Sequence, residues 1–182
     1  MNISRGIILS APSSASGKTT ITLGLLRALK IAGIPVRSAK SGPDYIDPRF
    51  HAAASGAECF NLDAWAMSPD SIRMLASGAL PLIIEGAMGL FDGALPDGKG
   101  STADLARILG LPIVLVLDVA SQAQSVAAVA LGFSQLAPDI KIAGLILNKV
   151  ASPRHNRMLC TALEPLGIPI LGSVYRQTDL ET

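Results

Sequence analysis

Apolar runs of four to six residues alternate along the chain with longer segments of helical periodicity. The runs predict strands over 6–10, 36–40, 82–85, 113–117, 142–147 and 170–173. Between them the periodicity predicts helices over 18–31, 48–55, 69–77, 101–109, 121–136 and 154–166. Gly33 and Gly110 stop two of these helices, with Pro35 and Pro112 just ahead of the next strand. Strand and helix alternating in this way build successive βα units and a parallel sheet. No repeat, low-complexity tract or Pro/Ser linker divides the chain. The expectation is one domain over 1–182, a doubly wound, mainly parallel α/β sheet flanked by helices.

Composition sharpens that picture. Of 182 residues 49% are hydrophobic but only 4% aromatic, so the core should be aliphatic, as suits strands buried on both faces. The formal net charge is +1 and no basic block stands out, which disfavours nucleic acid and anionic membranes as partners. Arg107, Pro112 and Asp118 interrupt the most apolar region before it reaches the roughly 18 residues of a membrane span. Cys59 and Cys160 form no CxxC and no disulfide framework, so free thiols and a cytoplasmic location are expected.

The chemistry begins right after the first strand. Ser13-Ser14-Ala15-Ser16-Gly17-Lys18-Thr19-Thr20 lies between that strand and an amphipathic helix, the setting of a phosphate-binding loop. Small residues let backbone N–H groups close around phosphate oxygens, and the helix N-terminus adds its positive dipole end. Lys18 would reach the outer phosphates and Thr19 would take a place on Mg²⁺. Pro12 stands where such loops open with Gly, and Ala15 stands where related loops often carry Gly; the GKTT end is intact. A nucleoside triphosphate is the expected ligand.

In open parallel sheets ligands bind beyond the carboxyl ends of the strands, and the scarce charged residues gather there. Lys40 ends the second predicted strand, expected beside the phosphate loop, where a second lysine neutralises a transferring phosphoryl group. Asp44 and Asp47 follow, flanking Tyr45-Ile46 between Pro43 and Pro48; oxygen donors beside a triphosphate suit Mg²⁺. Asp47-Pro48 also reads as a helix cap, an explanation Asp44 lacks. His51 is compatible with the cleft or with a solvated helix face. Glu85 ends a wholly apolar strand in the position of a Walker B acid, before a loop with glycines at 86, 89 and 93 that lets backbone approach a ligand. Ser101 and Thr102 open a helix that presents donors to a carboxylate, although capping by Ser101 explains them nearly as well. Asp118 reads as a cap. Asn148-Lys149, after the fifth strand, suits a purine edge.

Together these residues resemble the ATP-binding domain of the cobyrinic (hydrogenobyrinic) acid a,c-diamide synthases, of the dethiobiotin-synthetase-like P-loop superfamily. The resemblance rests on A-P-S-S-x-S-G-K-T-T at 11–20, K-S-G-P-D-Y-I-D-P at 40–48 with His51, E-G-A-M-G-L-F-D-G at 85–93, G-S-T-A at 100–103 and L-N-K-V at 147–150 with His155. It implies ATP- and Mg²⁺-dependent amidation of the a and c acetates of a corrinoid through an acyl phosphate. By the same resemblance Lys18 and Lys40 stabilise the phosphoryl group, and Thr19, Asp44 and Glu85 hold the metal. Tyr45 and Asp47 position the substrate, with Gly86, Ser101 and Thr102 beside it; residues 13–20 with Asn148 and Lys149 hold the nucleotide.

Members of this family continue into a glutaminase domain, whereas this sequence ends at Thr182. The nitrogen is then expected from that domain in a longer chain, or from free ammonia or a partner. Homodimerisation stays open. Two alternatives are a carboxylate activator of the dethiobiotin synthetase type and a partitioning-type ATPase switch. The signature lysine of the latter is absent, since Ser13 and Ser14 stand there.

Overall fold

Residues 5–177 are described by a computed structural model; Met1 and Thr182, the ends of the expected domain, lie outside that range. In chain order the elements are β1 (Gly6–Ser10), α1 (Lys18–Ile31), β2 (Arg37–Ser41), α2 (Asp47–Ser55), β3 (Cys59–Leu62), α3 (Pro69–Ala76), β4 (Leu82–Glu85), α4 (Thr102–Leu109), β5 (Ile113–Asp118), α5 (Val126–Gln135), β6 (Ile142–Val150), α6 (Pro153–Leu163) and β7 (Ile170–Tyr175). The strands form one parallel sheet in the order β3-β2-β4-β1-β5-β6-β7.

Successive strand residues point to opposite faces, and the packing follows that period of two. Ile8, Ile84, Leu115 and Leu117 enter the larger core, where α3, α4, α5 and α6 cover one face. Leu9, Ile83, Val114 and Val116 enter the smaller core under α1, with Leu26 as its buried knob. Because both faces are covered, β5 is apolar at every position before Asp118.

Four sequence expectations need correction. The run 36–40 is expected beside the phosphate loop, but β4 lies between β2 and β1. Strand β3 is not predicted at all: Cys59-Phe60-Asn61-Leu62 is four residues long with no apolar run, and it pairs only on one side. Helix α5 starts at Val126 rather than at 121, because the chain first makes a turn in which Ala120 N–H donates to Asp118. Strand β6 extends to Val150, so Asn148 and Lys149 lie within it instead of after it.

The register sets the functional rim. Lys40 pairs with Asn61 on one side and with Glu85 on the other, and Glu85 pairs with Leu9, one residue from the end of β1. Lys40 and Glu85 therefore stand level, next to the loop that β1 feeds.

Candidate functional site

Helix α1 begins with its first-turn N–H groups open. Gly17 is its N-cap in the left-handed region (φ 86°), with no side-chain cap and no acidic residue in the first turn. A Cβ there would be strained and would run into the Asn148 amide. Ala15 also sits at positive φ (60°), the conformation a glycine would take without strain. Ser16 Oγ and Lys18 Nζ both donate to Ser13 O, at 2.9 and 3.1 Å, folding the loop into a cup. Ser13 and Ser14 are exposed on its lip. Thr20, on the first turn of α1, lines the groove toward β7, while Thr19 turns to Glu85.

Asn148 is placed differently from the expectation of a base contact. Its side chain is buried and donates to Ser16 O at 3.0 Å, so it braces the phosphate loop from below. Changing Asn148 to Ala is expected to weaken ATP binding about tenfold, the worth of one such hydrogen bond, with the fold intact. Titration with a fluorescent ATP analogue checks it. Lys149 is paired with Asp118 at 2.7 Å, and Asp118 closes the turn after β5 rather than capping α5.

Lys18 is buried, and that burial, aided by the charge of Lys40, holds its ammonium below the ordinary lysine pKa despite Glu85 and Asp92. A desolvated cation at the mouth of an N–H cup is primed for phosphate. Glu85, 1% exposed, accepts from Thr19 Oγ1 at 2.6 Å with one oxygen and faces His51 Nε2 at 2.6 Å with the other. His51 is fully buried, and its Nδ1 lies 3.5 Å from Cys59 Sγ. His51 is the participant that sequence reasoning left undecided. Its partner Cys59 lies on the strand that patterning missed.

Burial opposes the charged form of His51, but hydrogen bonds to Cys59 and Glu85 and the Glu85 charge outweigh it and raise the pKa to about 9. The folded value stands above the unfolded 6.5, so this stabilisation is complete below pH 6.5 and disappears as pH rises through 9. Urea midpoints in metal-free buffer should fall across that window, and the fall should be smaller in His51→Gln.

The two aspartates exchange the local roles the sequence suggested. Asp44 Oδ1 accepts from the N–H groups of Ile46 and Asp47, at 2.9 and 3.1 Å, and its Oδ2 lies 3.6 Å from Lys40 Nζ. Burial opposes its ionised form, but those donors hold its pKa below the usual aspartate value. Asp47 caps nothing: Ile46 is the N-cap of α2 and makes no side-chain cap bond, and it is Asp44 that takes the N–H groups at the helix start. Burial, then Glu85 and Asp44, raise the Asp47 pKa, and its Oδ2 lies 3.7 Å from Lys40. Asp44 therefore shapes the loop, and Asp47 is the aspartate that feels Glu85.

The side chains of Ser101 and Thr102 are turned inward. Ser101 caps α4 by accepting from Asp104 N–H, and Thr102 donates to Ala87 O at 3.2 Å. They brace the loop after β4, where a Cβ on Gly86 would strike the Thr102 side chain at 2.8 Å. Exposed apolar groups stand on the loops that leave the same ends of the strands: Tyr45 and Ile46 after β2, Trp65 after β3, and Met88 and Leu95 after β4.

The donors fit Mg²⁺. Thr19 and Glu85 converge as hard oxygen donors beside the phosphate loop. Among the described residues no group of three or more His, Cys, Asp or Glu is arranged to hold a metal. An ion here would draw most of its ligands from phosphate oxygens and water.

Among the described residues no helix is long and apolar enough to cross a membrane. A solved structure of chloroplast FtsY from Physcomitrella patens shares the fold, with a TM-score of 0.62 at 17% identity over 93% of this chain and 58% of the other. Proteins named hydrogenobyrinate a,c-diamide synthase are similar in sequence. That of Brucella anthropi is 60% identical over 97% of this chain and 41% of its own length, and that of Rhodobacter capsulatus 52% over 97% and 42%. The chain thus spans about two-fifths of the length of these curated relatives. The sequence profile of the CobQ/CobB/MinD/ParA nucleotide binding domain matches residues 7–182, so a lysine-bearing cup at the end of β1 and an acid at the end of β4 stand in a recognised context, and the chain belongs to that family.

Proposed function

We propose that this domain activates carboxylates of a corrinoid acid with Mg-ATP for conversion to amides, the a and c acetates of hydrogenobyrinate or cobyrinate being the substrates. The observation that supports this reading is a second buried lysine, Lys40, level with Glu85 at the strand ends and 3.7 Å from Asp47, with exposed apolar residues on the loops that leave the same strand ends. A switch that only binds and hydrolyses nucleotide does not need a second buried lysine and an apolar ledge beside its phosphates. The similarity to named hydrogenobyrinate a,c-diamide synthases agrees with it.

The chemistry is a phosphoryl transfer followed by an acyl transfer. A substrate carboxylate oxygen attacks the γ-phosphorus, the bond to ADP breaks, and an acyl phosphate forms. Ammonia then adds to the acyl carbon, inorganic phosphate departs, and a proton is lost to give the amide. Lys18 and the N–H groups of the cup hold the phosphates of ATP, and Lys40 approaches the transferring group from the side of β2. Thr19 and Glu85 would hold Mg²⁺, which would supply charge neutralisation for the phosphates. Asp44 fixes the loop carrying Tyr45, and Asp47 orients the incoming acid or ammonia. The flat faces of Tyr45 and Trp65 suit a macrocycle whose ring is apolar and whose acetates are charged. Ammonia comes from a glutaminase domain of a longer chain, from a partner, or from solution.

The test is to supply Mg-ATP, ammonium and either hydrogenobyrinic or cobyrinic acid and to follow product mass. Two stepwise acid-to-amide mass changes on one ring are expected, with a hydroxamate when hydroxylamine replaces ammonia. If a longer form carrying the rest of the relatives' length amidates neither ring, the reading fails.

A further inference from the structure

The buried histidine takes no part in the chemistry described so far, yet it has no contact with solvent and two polar partners. Its Nε2 lies 2.6 Å from Glu85 Oε2, while Glu85 Oε1 accepts from Thr19 Oγ1 at the same distance. Its Nδ1 faces Cys59 Sγ at 3.5 Å. These contacts make one line, from Cys59 on β3 through His51 on α2 and Glu85 on β4 to Thr19 on α1. Three elements, α1, α2 and β4, thereby meet at a single carboxylate, and β3 joins them through the Cys59 thiol on His51. A glutamate has three side-chain torsions, and freezing them costs entropy unless a partner holds the far oxygen.

We infer that His51 is a positioning residue for magnesium: by holding one oxygen of Glu85 it directs the other oxygen and the Thr19 hydroxyl at the metal that accompanies ATP. This rests on the reading of Thr19 and Glu85 as the magnesium donors. In the free protein Thr19 Oγ1 donates its proton to Glu85 Oε1, and its oxygen lone pairs stay available to a metal without loss of that bond. The His51 contact lies on the opposite oxygen of Glu85 and is independent of it. Glu85 therefore keeps its direction whether or not the nucleotide is present, and Cys59 fixes which way the ring faces.

Two substitutions separate this role from simple filling of space. Gln places its amide nitrogen where histidine carries Nε2, so His51→Gln retains the bond to Glu85. Asn places its amide near the Nδ1 position, so His51→Asn retains the Cys59 side and loses Glu85. A fluorescent ATP analogue is titrated into the intact protein with Mg²⁺ and with EDTA. Without metal both variants should bind as wild type does. With Mg²⁺, His51→Asn should lose about tenfold of the metal-dependent gain in affinity, and His51→Gln should stay within about threefold of wild type, as expected for a ligand's outer partner. In a Glu85→Gln background, His51→Asn should have no additional effect on magnesium dependence, a comparison that holds even where absolute stability differs.

Equal loss in the Asn and Gln variants, or an undiminished magnesium effect in His51→Asn, overturns the inference. Failure of wild type to bind the analogue under either condition overturns instead the nucleotide reading on which it rests.

Discussion

Changing Lys18 to Ala is expected to lower ATP-dependent turnover by about a thousandfold while the free protein melts at the same temperature or higher. The two halves of that result have one cause. Lys18 is 7% exposed, and burial is the first reason its ammonium is held below the ordinary lysine range. Its nearest fixed partner is a neutral carbonyl, Ser13 O at 3.1 Å. The folded protein thus carries a cation that has lost water and is only partly compensated by the charges of Glu85 and Asp92, neither of which forms an ion pair with it, a cost that phosphate binding repays. Alanine removes the cost and the function together. Lys18→Arg should fail almost as completely, because a planar guanidinium does not fit a cup closed by Ser13 and Ser16. Thermal melts beside single-turnover assays check both halves. A Lys18→Ala protein that turns over normally would remove the cup from the site.

Glu85→Gln should show the opposite pairing, with activity down by about a hundredfold and stability also reduced. Glu85 is 1% exposed and receives His51 on one oxygen and Thr19 on the other. Glutamine keeps the shape but loses the charge and turns one acceptor into a donor. It leaves a buried imidazolium without its counterion, which costs about 3 kcal/mol in comparable broken pairs. Release of the imidazole proton limits that cost, so the loss should be smaller at pH 9, near the midpoint of the His51 transition, than at pH 6.5, where the folded imidazole is charged. Urea denaturation at both pH values measures it. Adding excess Mg²⁺ should not restore turnover, because the missing donor sets the position of the ion.

Much of this could be read in the sequence because the relevant signals are local. An apolar run followed by a small-residue loop and GKT marks β1, the cup and α1 almost to the residue, since all three depend on neighbours within one βα unit. Glu85 was visible for a related reason: a carboxylate ending a fully buried strand has to have a purpose. The strand order was not visible, because no local pattern states which strand lies beside which. That β4 separates β2 from β1 is a matter of crossover connections. Strand β3 escaped because an edge strand is paired on one side only and can be short and mixed in character; Asn61 in its middle reads as a turn residue. Asp47 before Pro48 reads as a cap and Asp44 does not, whereas the loop uses the earlier of the two to bind the N–H groups of Ile46 and Asp47. His51 could not be judged from helix periodicity. Its burial is created by β3 and β4, the one missed and the other placed only by the tertiary fold.

The placing of β4 between β1 and β2 has a consequence for how such a domain can diversify. The phosphate cup is built by β1 and α1 and braced across the sheet by Asn148 of β6, while the loops bearing Tyr45, Trp65 and Leu95 leave β2, β3 and β4 on the other side. In the proposed reaction, changes in the loops after β2 and β3 can alter which acid is accepted, whereas the loop after β4 is tied to the cup by Leu90 N–H donating to Ala11 O at 2.8 Å. Glu85, at the boundary, is common to both halves. Descent with change in acceptor and constancy in fuel is what this division of the sheet permits.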